Sequence, residues 1–272
     1  MRSSTVSMLR CPQCTGALAL RDTVSDAHAD IETGELTCAH CPATYPIEHG
    51  IAHLASKDEV VGAYPVMEEQ ARIGAPFYDA GTRRFSEIIG VSPEDARPEY
   101  LRHLELIPKA TVLDVGAGTG AELEYVWSKI RDARMFGLDL SVEMLRQCQR
   151  KMRKINAHAE LFLGFAERLP FRDDTFDVVF HTGAINEFTD QRAAIREFVR
   201  VAKPGTRIVI ADEMLTTQNI LDPIGQRLSK TFPSLSRGVV PPVDCVPPGM
   251  QDTSVDVIWR GYGYCLHFRK PR

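Results

Sequence analysis

Short β-branched runs alternate with helical stretches along the chain from about residue 110 onward. The runs lie at 111–115, 135–139, 160–163, 176–180 and 207–211, with helical stretches at 122–130, 142–155 and 191–201. This alternation predicts a parallel sheet whose faces are covered by helices. Two further apolar runs, at 255–259 and 262–268, flank Arg260-Gly261 and predict a hairpin, so we expect the sheet to end in antiparallel pairing.

The length of 272 residues leaves room for one medium domain and a small module. We expect a module over 1–58, a helical lead-in over 59–108 and an α/β domain over 109–272. Residues 213–250 are rich in Pro and Gly and interrupt the alternation, which predicts an insertion that covers a pocket. Helical spacing of apolar residues runs through 66–107.

Composition excludes several classes of protein. Hydrophobic residues make up 44% and charged residues 25% of the chain, which is typical of a globular protein and excludes a mostly disordered one. No apolar run approaches the ~20 residues of a membrane span, and the first residues are too polar for a signal peptide. We therefore expect a cytoplasmic protein whose cysteines bind metal or remain free thiols.

Four of the seven cysteines form two Cys-x-x-Cys pairs, Cys11/Cys14 and Cys38/Cys41. Each pair makes a tight turn that presents two thiolates, and two such turns complete the closed tetrahedral site of a structural Zn²⁺. Because a segment of ~55 residues buries little core alone, we expect the metal to supply its folding energy. Four free buried thiols are the alternative. Because the cysteines already fill the site, His40 and His49 are expected at the surface or beside the ligands.

A glycine-rich turn follows the first expected strand of the α/β domain. The turn, Gly116-Ala117-Gly118-Thr119-Gly120, precedes an expected helix; its glycines let the backbone approach a ligand, and the helix N-terminus offers free N–H groups. Such a loop serves NAD, FAD or S-adenosylmethionine, but the GxGxG spacing and the preceding Asp114 favour S-adenosylmethionine. Asp139, at the end of the next strand, can accept both ribose hydroxyls. Asp114 suits the amino end of the cofactor or, equally, the backbone of its own loop.

Two further motifs complete the pattern: Gly164-Phe165-Ala166-Glu167-Arg168-Leu169-Pro170-Phe171, followed by 174–179, and Arg200-Val201-Ala202-Lys203-Pro204-Gly205. With them, residues 75–212 resemble the class I S-adenosylmethionine-dependent methyltransferases, in particular the group that includes ubiquinone/menaquinone-biosynthesis methyltransferases. The resemblance implies a Rossmann-like α/β fold with a seven-stranded, mostly parallel sheet and the cofactor across the carboxyl ends of the first strands. Residues 8–55 resemble the small zinc-ribbon family that activates methyltransferases as a separate subunit, so we expect a ribbon fused to its enzyme.

The resemblance also implies which residues bind the cofactor. They are Asp114, Gly116, Ala117, Gly118, Gly120, Asp139, Leu140, Phe165, Ala166, Glu167 and His181. The family usually has Asp after the glycine of the third motif, where it meets the adenine amino group, and Phe165 stands there in this chain. We therefore expect adenine recognition by stacking, by the Ala166 backbone or by Glu167.

The catalytic candidates lie where the resemblance places the methyl group, near the end of the fourth strand of the pattern. Methyl transfer mainly needs alignment and exclusion of water, and a base only where the acceptor loses a proton. His181 is the general-base candidate, with a packed strand-end histidine as the alternative. Tyr78 and Glu187 complete the set, Tyr78 in the lead-in that closes over the cofactor in this family and Glu187 with helix capping as its alternative. Asp212 and Glu213 either face the pocket or form a solvated loop pair.

Three functions remain open, and charge ranks them. Residues 1–60 hold four Lys and Arg against eight Asp and Glu, and the remainder balances at 28 against 28. Nucleic-acid binding needs a basic footprint, so we prefer a methyltransferase with a small-molecule acceptor over an rRNA base methyltransferase that docks RNA through its zinc module. A scaffold with a degenerate domain is the third hypothesis. We expect the zinc to be structural and to brace either the helical lid or a homodimer contact.

Overall fold

The computed structural model describes residues 1–27, 29–55, 74–232, 235 and 238–272. Short 3₁₀ turns connect several of the helices and strands. The α-helices of this part are α1 (Tyr78–Ile89), α2 (Pro93–Leu101), α3 (Ala121–Lys129), α4 (Val142–Lys154), α5 (Gln191–Val201) and α6 (Pro223–Thr231). Its strands are β1 (Leu18–Ser25), β2 (Ile31–Cys38), β3 (Thr44–Glu48), β4 (Ile51–His53), β5 (Thr111–Val115), β6 (Arg134–Asp139), β7 (Ala159–Leu163), β8 (Val178–Thr182), β9 (Arg207–Glu213), β10 (Gln251–Ile258) and β11 (Gly263–Arg269).

The strands lie in one mixed sheet, in the order β1-β2-β3-β4-β7-β6-β5-β8-β9-β11-β10. Strands β4 to β9 pair in parallel across the middle of this order, whereas β11 runs antiparallel to both β9 and β10. The α/β fold and the antiparallel end of the sheet are therefore confirmed. The sheet is larger than the expected seven strands, because the eleven strands of the described residues include the four N-terminal ones.

The N-terminal strands join the α/β sheet through a parallel pair. Strand β4 pairs with β7 in the register Ile51↔Leu161, Ala52↔Phe162 and His53↔Leu163. An uncovered β7 would leave a row of unpaired N–H and C=O groups at a sheet edge, and β4 satisfies that edge. The ribbon is thus continuous with the α/β sheet, which spacing and composition alone do not predict.

A buried carboxylate reinforces this junction. The side chain of Glu160, on β7, accepts hydrogen bonds from the Arg2 backbone N–H at 2.8 Å and from the Thr5 hydroxyl. The guanidinium of Arg134 pairs with the same carboxylate at 3.0 Å. Because a buried charge is costly unless it is paired, this network fixes the N-terminal segment against β7.

The sequence explains why these elements form. Val112, Leu113 and Val115 of β5 are all buried, as expected of a strand covered on both faces. The side chains of Ser92, Ser141, Asp190 and Asp222 each accept a backbone N–H three residues on, and so cap α2, α4, α5 and α6. The apolar runs therefore define the strands, and the capping side chains define where these four helices begin.

The structure describes residues 74–108 of the expected helical lead-in. Its later part forms α1 and α2, whereas residues 59–73, including the start of the helical pattern at 66, lie outside the described residues. Helix α6 falls within the expected insertion at 213–250. No helix among the described residues is long and apolar enough to cross a membrane.

Candidate functional site

The four N-terminal cysteines form one cluster. Their sulfur atoms all lie within 4.8 Å of one another, with 3.4 Å between Cys14 and Cys38 and 3.7 Å between Cys11 and Cys41. Zn–S bonds of about 2.3 Å in a tetrahedron require sulfur–sulfur separations of about 3.8 Å. The cluster therefore fits Zn²⁺, which would hold the two turns together and leave no coordination position for a substrate.

The surroundings of the cluster also suit thiolates. The backbone N–H of His40 points at the sulfur of Cys38, 3.3 Å away, and the Tyr45 hydroxyl lies 3.2 Å from the sulfur of Cys11. Both His40 and His49 are exposed. The structure places them as expected, with the sulfur cluster made of cysteines alone.

The glycine-rich turn connects β5 to α3 and is held by the end of β6. The backbone N–H groups of Gly116 and Ala117 both donate to the carbonyl of Leu138, at 2.7 and 2.9 Å. Gly120 has a φ of +79°, and a Cβ on it would lie 2.5 Å from the sulfur of Cys148 on α4. A side chain at Gly120 would therefore both strain the backbone and push α4 away.

Asp139 ties the two strand ends together. Its carboxylate accepts the N–H of Gly118 at 2.8 Å through one oxygen and the N–H of Ser141 at 2.8 Å through the other. Each oxygen keeps a further lone pair, so the carboxylate can still accept ribose hydroxyls. Burial raises the pKa of Asp139, and the two N–H donors act against that rise.

The Asp114 carboxyl lies beside the glycine turn and could receive a cationic ligand. It is fully buried on β5, and neither oxygen has a hydrogen-bond partner among the described residues. Burial raises its pKa well above the usual range, and the nearby Glu122 and Asp139 add to the rise. An unsatisfied carboxyl beside a glycine loop fits the ammonium end of S-adenosylmethionine, directly or through water.

The expected adenine side of the site is apolar. Phe165 is 8% exposed and packs with Ala55 and Leu140, and the Arg168 guanidinium lies 4.5 Å from the centre of its ring. Ala55 follows β4, so the N-terminal module contributes to this wall. The departure from the family pattern thus replaces a carboxylate with an aromatic ring in contact with the ribbon.

The neighbours of Phe165 do not restore a free carboxylate at that position. Ala166 is buried, and Glu167 accepts a hydrogen bond from the Thr189 hydroxyl at 3.1 Å. Leu140 ends the turn after Asp139 and packs on the same wall.

His181 is packed under the glycine turn. The ring is fully buried, and its Nδ1 donates to the carbonyl of Val115 at 2.6 Å. A Cβ at Gly116 would lie 3.0 Å from the ring, and Phe188 covers another side at 4.9 Å between ring centres. Burial lowers the pKa of His181 to about 4. This placement matches the packed strand-end alternative more closely than that of a base facing a substrate.

A cavity of about 740 Å³ opens beside the glycine turn. Gly116 to Thr119 line one side, and the ends of β8 and β9 contribute Thr182, Gly183 and Glu213. Another part of the lining is an aromatic wall from α1, α2, the end of α6 and the turn before β11, with Phe85, Tyr100, Phe232 and Trp259. Three of their ring pairs meet edge to face at 5.8–5.9 Å, an arrangement that stabilises the packing of this wall.

Sequence reasoning found only part of this wall. Within 213–250, the segment expected to cover a pocket, Phe232 lines this cavity, Leu215 and Leu228 are buried in the core, and Leu221 is 74% exposed. The sequence pattern predicts only that Trp259 lies in a hairpin. Its position in the wall depends on its positive φ and on the hydrogen bond that its indole N–H donates to the Ala96 carbonyl of α2. No sequence pattern marks Phe85 or Tyr100 as anything other than core residues.

Helix α1 is tied to the glycine turn by polar contacts. Asp79 accepts the Thr119 hydroxyl at 2.6 Å and pairs with Lys151 of α4 at 3.1 Å. These contacts hold Tyr78 over the turn. A Cβ added to Gly118 would lie 4.0 Å from its ring, and a Cβ added to Gly183 would lie 3.8 Å from its hydroxyl. Tyr78 therefore lines the cavity above Gly118, which is a candidate cofactor contact.

The last two polar candidates differ in position. Glu187 is exposed at the end of a 3₁₀ turn, away from the cavity lining. Asp212 is fully buried at the end of β9 and accepts the side-chain amide of Asn186 at 2.7 Å. Glu213 lines the cavity, so the two residues do not form a solvated loop pair.

Comparison with known families agrees with these observations. The Methyltransferase domain family matches residues 113–210, and the Trm112p-like protein family matches residues 2–50. A demethylmenaquinone methyltransferase of Lactiplantibacillus plantarum is 30% identical over 168 residues, which cover 60% of this chain and 69% of that protein. One from Chlorobaculum parvum is 37% identical over 110 residues, covering 40% and 44%. The chain spans about half the length of most of the curated relatives it matches.

Solved structures share the fold. A chain from the complex between the Haloferax volcanii Trm112 methyltransferase activator and the putative methyltransferase gives a TM-score of 0.52 at 18% identity, covering 73% of this chain and 97% of that one. The Haemonchus contortus phosphoethanolamine N-methyltransferase 2, with phosphomonomethylethanolamine and S-adenosylhomocysteine, gives 0.55 at 14% identity, covering 80% and 61%.

Proposed function

The chain belongs to the class I S-adenosylmethionine-dependent methyltransferases of the ubiquinone/menaquinone-biosynthesis group, and from this premise we propose that it methylates a small apolar aromatic acceptor. The observation that carries the proposal is the cavity, because one continuous space joins the glycine turn to an aromatic wall. The names of the demethylmenaquinone methyltransferase relatives support an aromatic acceptor of the quinol type.

The bound cofactor would supply a methyl group on a positively charged sulfur. In our proposal, Asp139 holds the ribose, Asp114 faces the ammonium group, and the Gly116–Gly118 backbone allows the close approach. Leu140, Phe165 and Ala166 form the adenine wall, and the protein aligns the acceptor against the methyl group and excludes water. Tyr78 covers the reacting corner of the cavity.

We assign the zinc a structural role in this function. The four-cysteine site has no open position, and the ribbon joins the catalytic domain through β4 and through Ala55. Thiolate ligands must stay reduced, so we place the reaction in the cytoplasm.

Two measurements test the proposal. Calorimetry should show S-adenosylmethionine and S-adenosylhomocysteine binding to the chain. Asp139→Ala should weaken both, whereas Asp132→Ala, in the exposed turn before β6, should not. Mass spectrometry should then show transfer of a methyl group to 1,4-naphthohydroquinone. A chain that binds neither cofactor form would refute any methyltransferase function, including the choice of acceptor.

The Trm112p-like module keeps an rRNA base methyltransferase as a second candidate. Its acidic charge is a poor match for RNA phosphates, since residues 1–60 carry four basic and eight acidic side chains. Methylation of ribosomal RNA with tritiated cofactor, without methylation of the quinol, would favour this second function.

A further inference from the structure

An acidic pair lies at the corner of the cavity where β8 and β9 end. Glu213 lines the cavity beside Thr182 and Gly183. In the sheet, its backbone is paired with Gly263 of β11, so the position of this side chain is fixed by a strand and not by a mobile loop. Because the carboxyl ends of parallel strands carry the ligand site in this kind of fold, Glu213 is well placed for chemistry.

The neighbour of Glu213 is a carboxyl with no access to solvent. Asp212 is fully buried, and its oxygens accept the side-chain amide of Asn186 at 2.7 Å and the backbone N–H of Glu213 at 2.8 Å. The backbone N–H of Asn186 also points at the Asp212 carboxyl, at 3.3 Å. Among the described residues, no Lys, Arg or His forms an ion pair with either of them.

Two adjacent carboxyl groups without a cation cannot both be ionised easily. Burial and the nearby Glu213 raise the pKa of Asp212 well above its usual range, so Asp212 keeps its proton. Tyr78 from α1 and Tyr264 from β11 lie near the pair, and burial raises the pKa of both hydroxyls. Both tyrosines therefore stay neutral. The cations that line the same cavity are Arg83, Arg97, which pairs with Glu122, and Lys151, which pairs with Asp79.

We propose that Glu213 is the base that removes the proton from the methyl acceptor, and that neutral Asp212 is a positioning residue whose carboxyl accepts the backbone N–H of Glu213. The inference rests on the proposed function. As the acceptor atom forms its bond to the methyl carbon, the carbon–sulfur bond breaks and the sulfur keeps the electron pair. The proton of the acceptor's O–H, N–H or acidic C–H passes to the Glu213 carboxylate. His181 has no part in the step, since its ring is buried and does not line the cavity.

Infrared difference spectroscopy tests the protonation states without any turnover. Above neutral pH, the spectrum of the wild type minus that of Asp212→Asn should contain the C=O stretch of a protonated carboxyl. The difference for Glu213→Gln should instead contain carboxylate bands. Glu87→Gln, an exposed carboxylate on α1, is the matched control and should also show only carboxylate bands. An ionised Asp212 would overturn the proposal.

Kinetics with 1,4-naphthohydroquinone test the chemical role. Glu213→Gln should lower kcat by about 100-fold or more, as expected for loss of a general base, and should remove the acid limb of the kcat–pH profile. Binding of S-adenosylhomocysteine should be unchanged in this variant, which also shows that it is folded. Glu213→Asp should recover part of the rate.

The two proposals fail in different ways. A Glu213→Gln enzyme that binds the cofactor and keeps the wild-type kcat and pH profile would overturn the base assignment alone. A wild-type chain that does not bind S-adenosylhomocysteine would overturn the proposed function. A wild-type chain that binds it but leaves the quinol unmethylated would refute that acceptor, and with it the proton transfer proposed here.

Discussion

The buried imidazole of His181 should make the fold sensitive to acid in a defined range of pH. Its Nδ1–H donates to the Val115 carbonyl, its Nε2 has no partner among the described residues, and burial lowers its pKa from 6.5 to about 4. As the pH falls, His181 therefore becomes protonated near pH 6.5 in the unfolded chain but only near pH 4 in the folded chain. Stability is unaffected above the higher value and falls as the pH drops between the two.

The magnitude follows from linkage. A pKa difference between about 6.5 and about 4 corresponds to about 3 kcal/mol, of which about 2 kcal/mol is already lost at about pH 5. That loss is a large share of the stability of a typical domain. The direction is fixed by the neutral state of the folded imidazole, so acid can only destabilise through this residue.

His181→Asn isolates the effect, because the Asn side-chain N–H₂ can take the place of Nδ1–H and does not titrate. Urea unfolding of both proteins from about pH 7.5 to pH 5 should show the wild type losing about 2 kcal/mol more than the variant. The other titrating groups, including His103 and His267, cancel in this comparison. Equal pH dependence of the two proteins would refute the argument that the folded imidazole stays neutral.

Three further predictions concern the metal, the glycine turn and α1. Cys38→Ser should abolish zinc binding, measured by metal analysis, and should lower the melting temperature by removing the folding energy that the metal supplies. Gly120→Ala should reduce the affinity for S-adenosylhomocysteine in calorimetry, since the added Cβ meets Cys148 at 2.5 Å and the φ is positive; unchanged affinity would contradict it. Lys151→Met should speed the dissociation of S-adenosylhomocysteine in stopped-flow experiments, because Asp79 loses the cation that holds α1 to the glycine turn. Arg150→Met, on the same helix but without an ion pair to α1, is its control.

Local patterns were enough to predict the parallel strands and the helices between them. The runs of β5, β6 and β7 and the helix α5 were predicted within one or two residues of their bounds, because buried parallel strands are continuous apolar runs. The cysteine cluster was predicted for a similar reason, since Cys-x-x-Cys spacing is itself local geometry. In each of these cases the information lies within a few neighbouring residues.

Long-range contacts could not be predicted in this way. The pairing of β4 with β7 joins residues that are about 110 positions apart, as in Ile51↔Leu161, and a three-residue strand has no distinctive pattern. The aromatic wall combines Phe85, Phe232 and Trp259 from distant parts of the chain. The raised pKa of Asp212 likewise depends on its burial, which a dipeptide such as Asp212-Glu213 does not reveal.

The continuous sheet changes what the zinc is expected to stabilise. Without the metal, the ribbon has little core of its own, and loss of β4 would expose the edge of β7, whose far end carries the Phe165 wall. Ala55 would leave that wall at the same time. Metal loss should therefore weaken binding at the adenine side first, while Asp139 and the glycine turn, which are held by β5 and β6, keep their geometry. The four-cysteine cluster and the proposed cofactor site are in this way connected by three backbone pairs and one apolar contact.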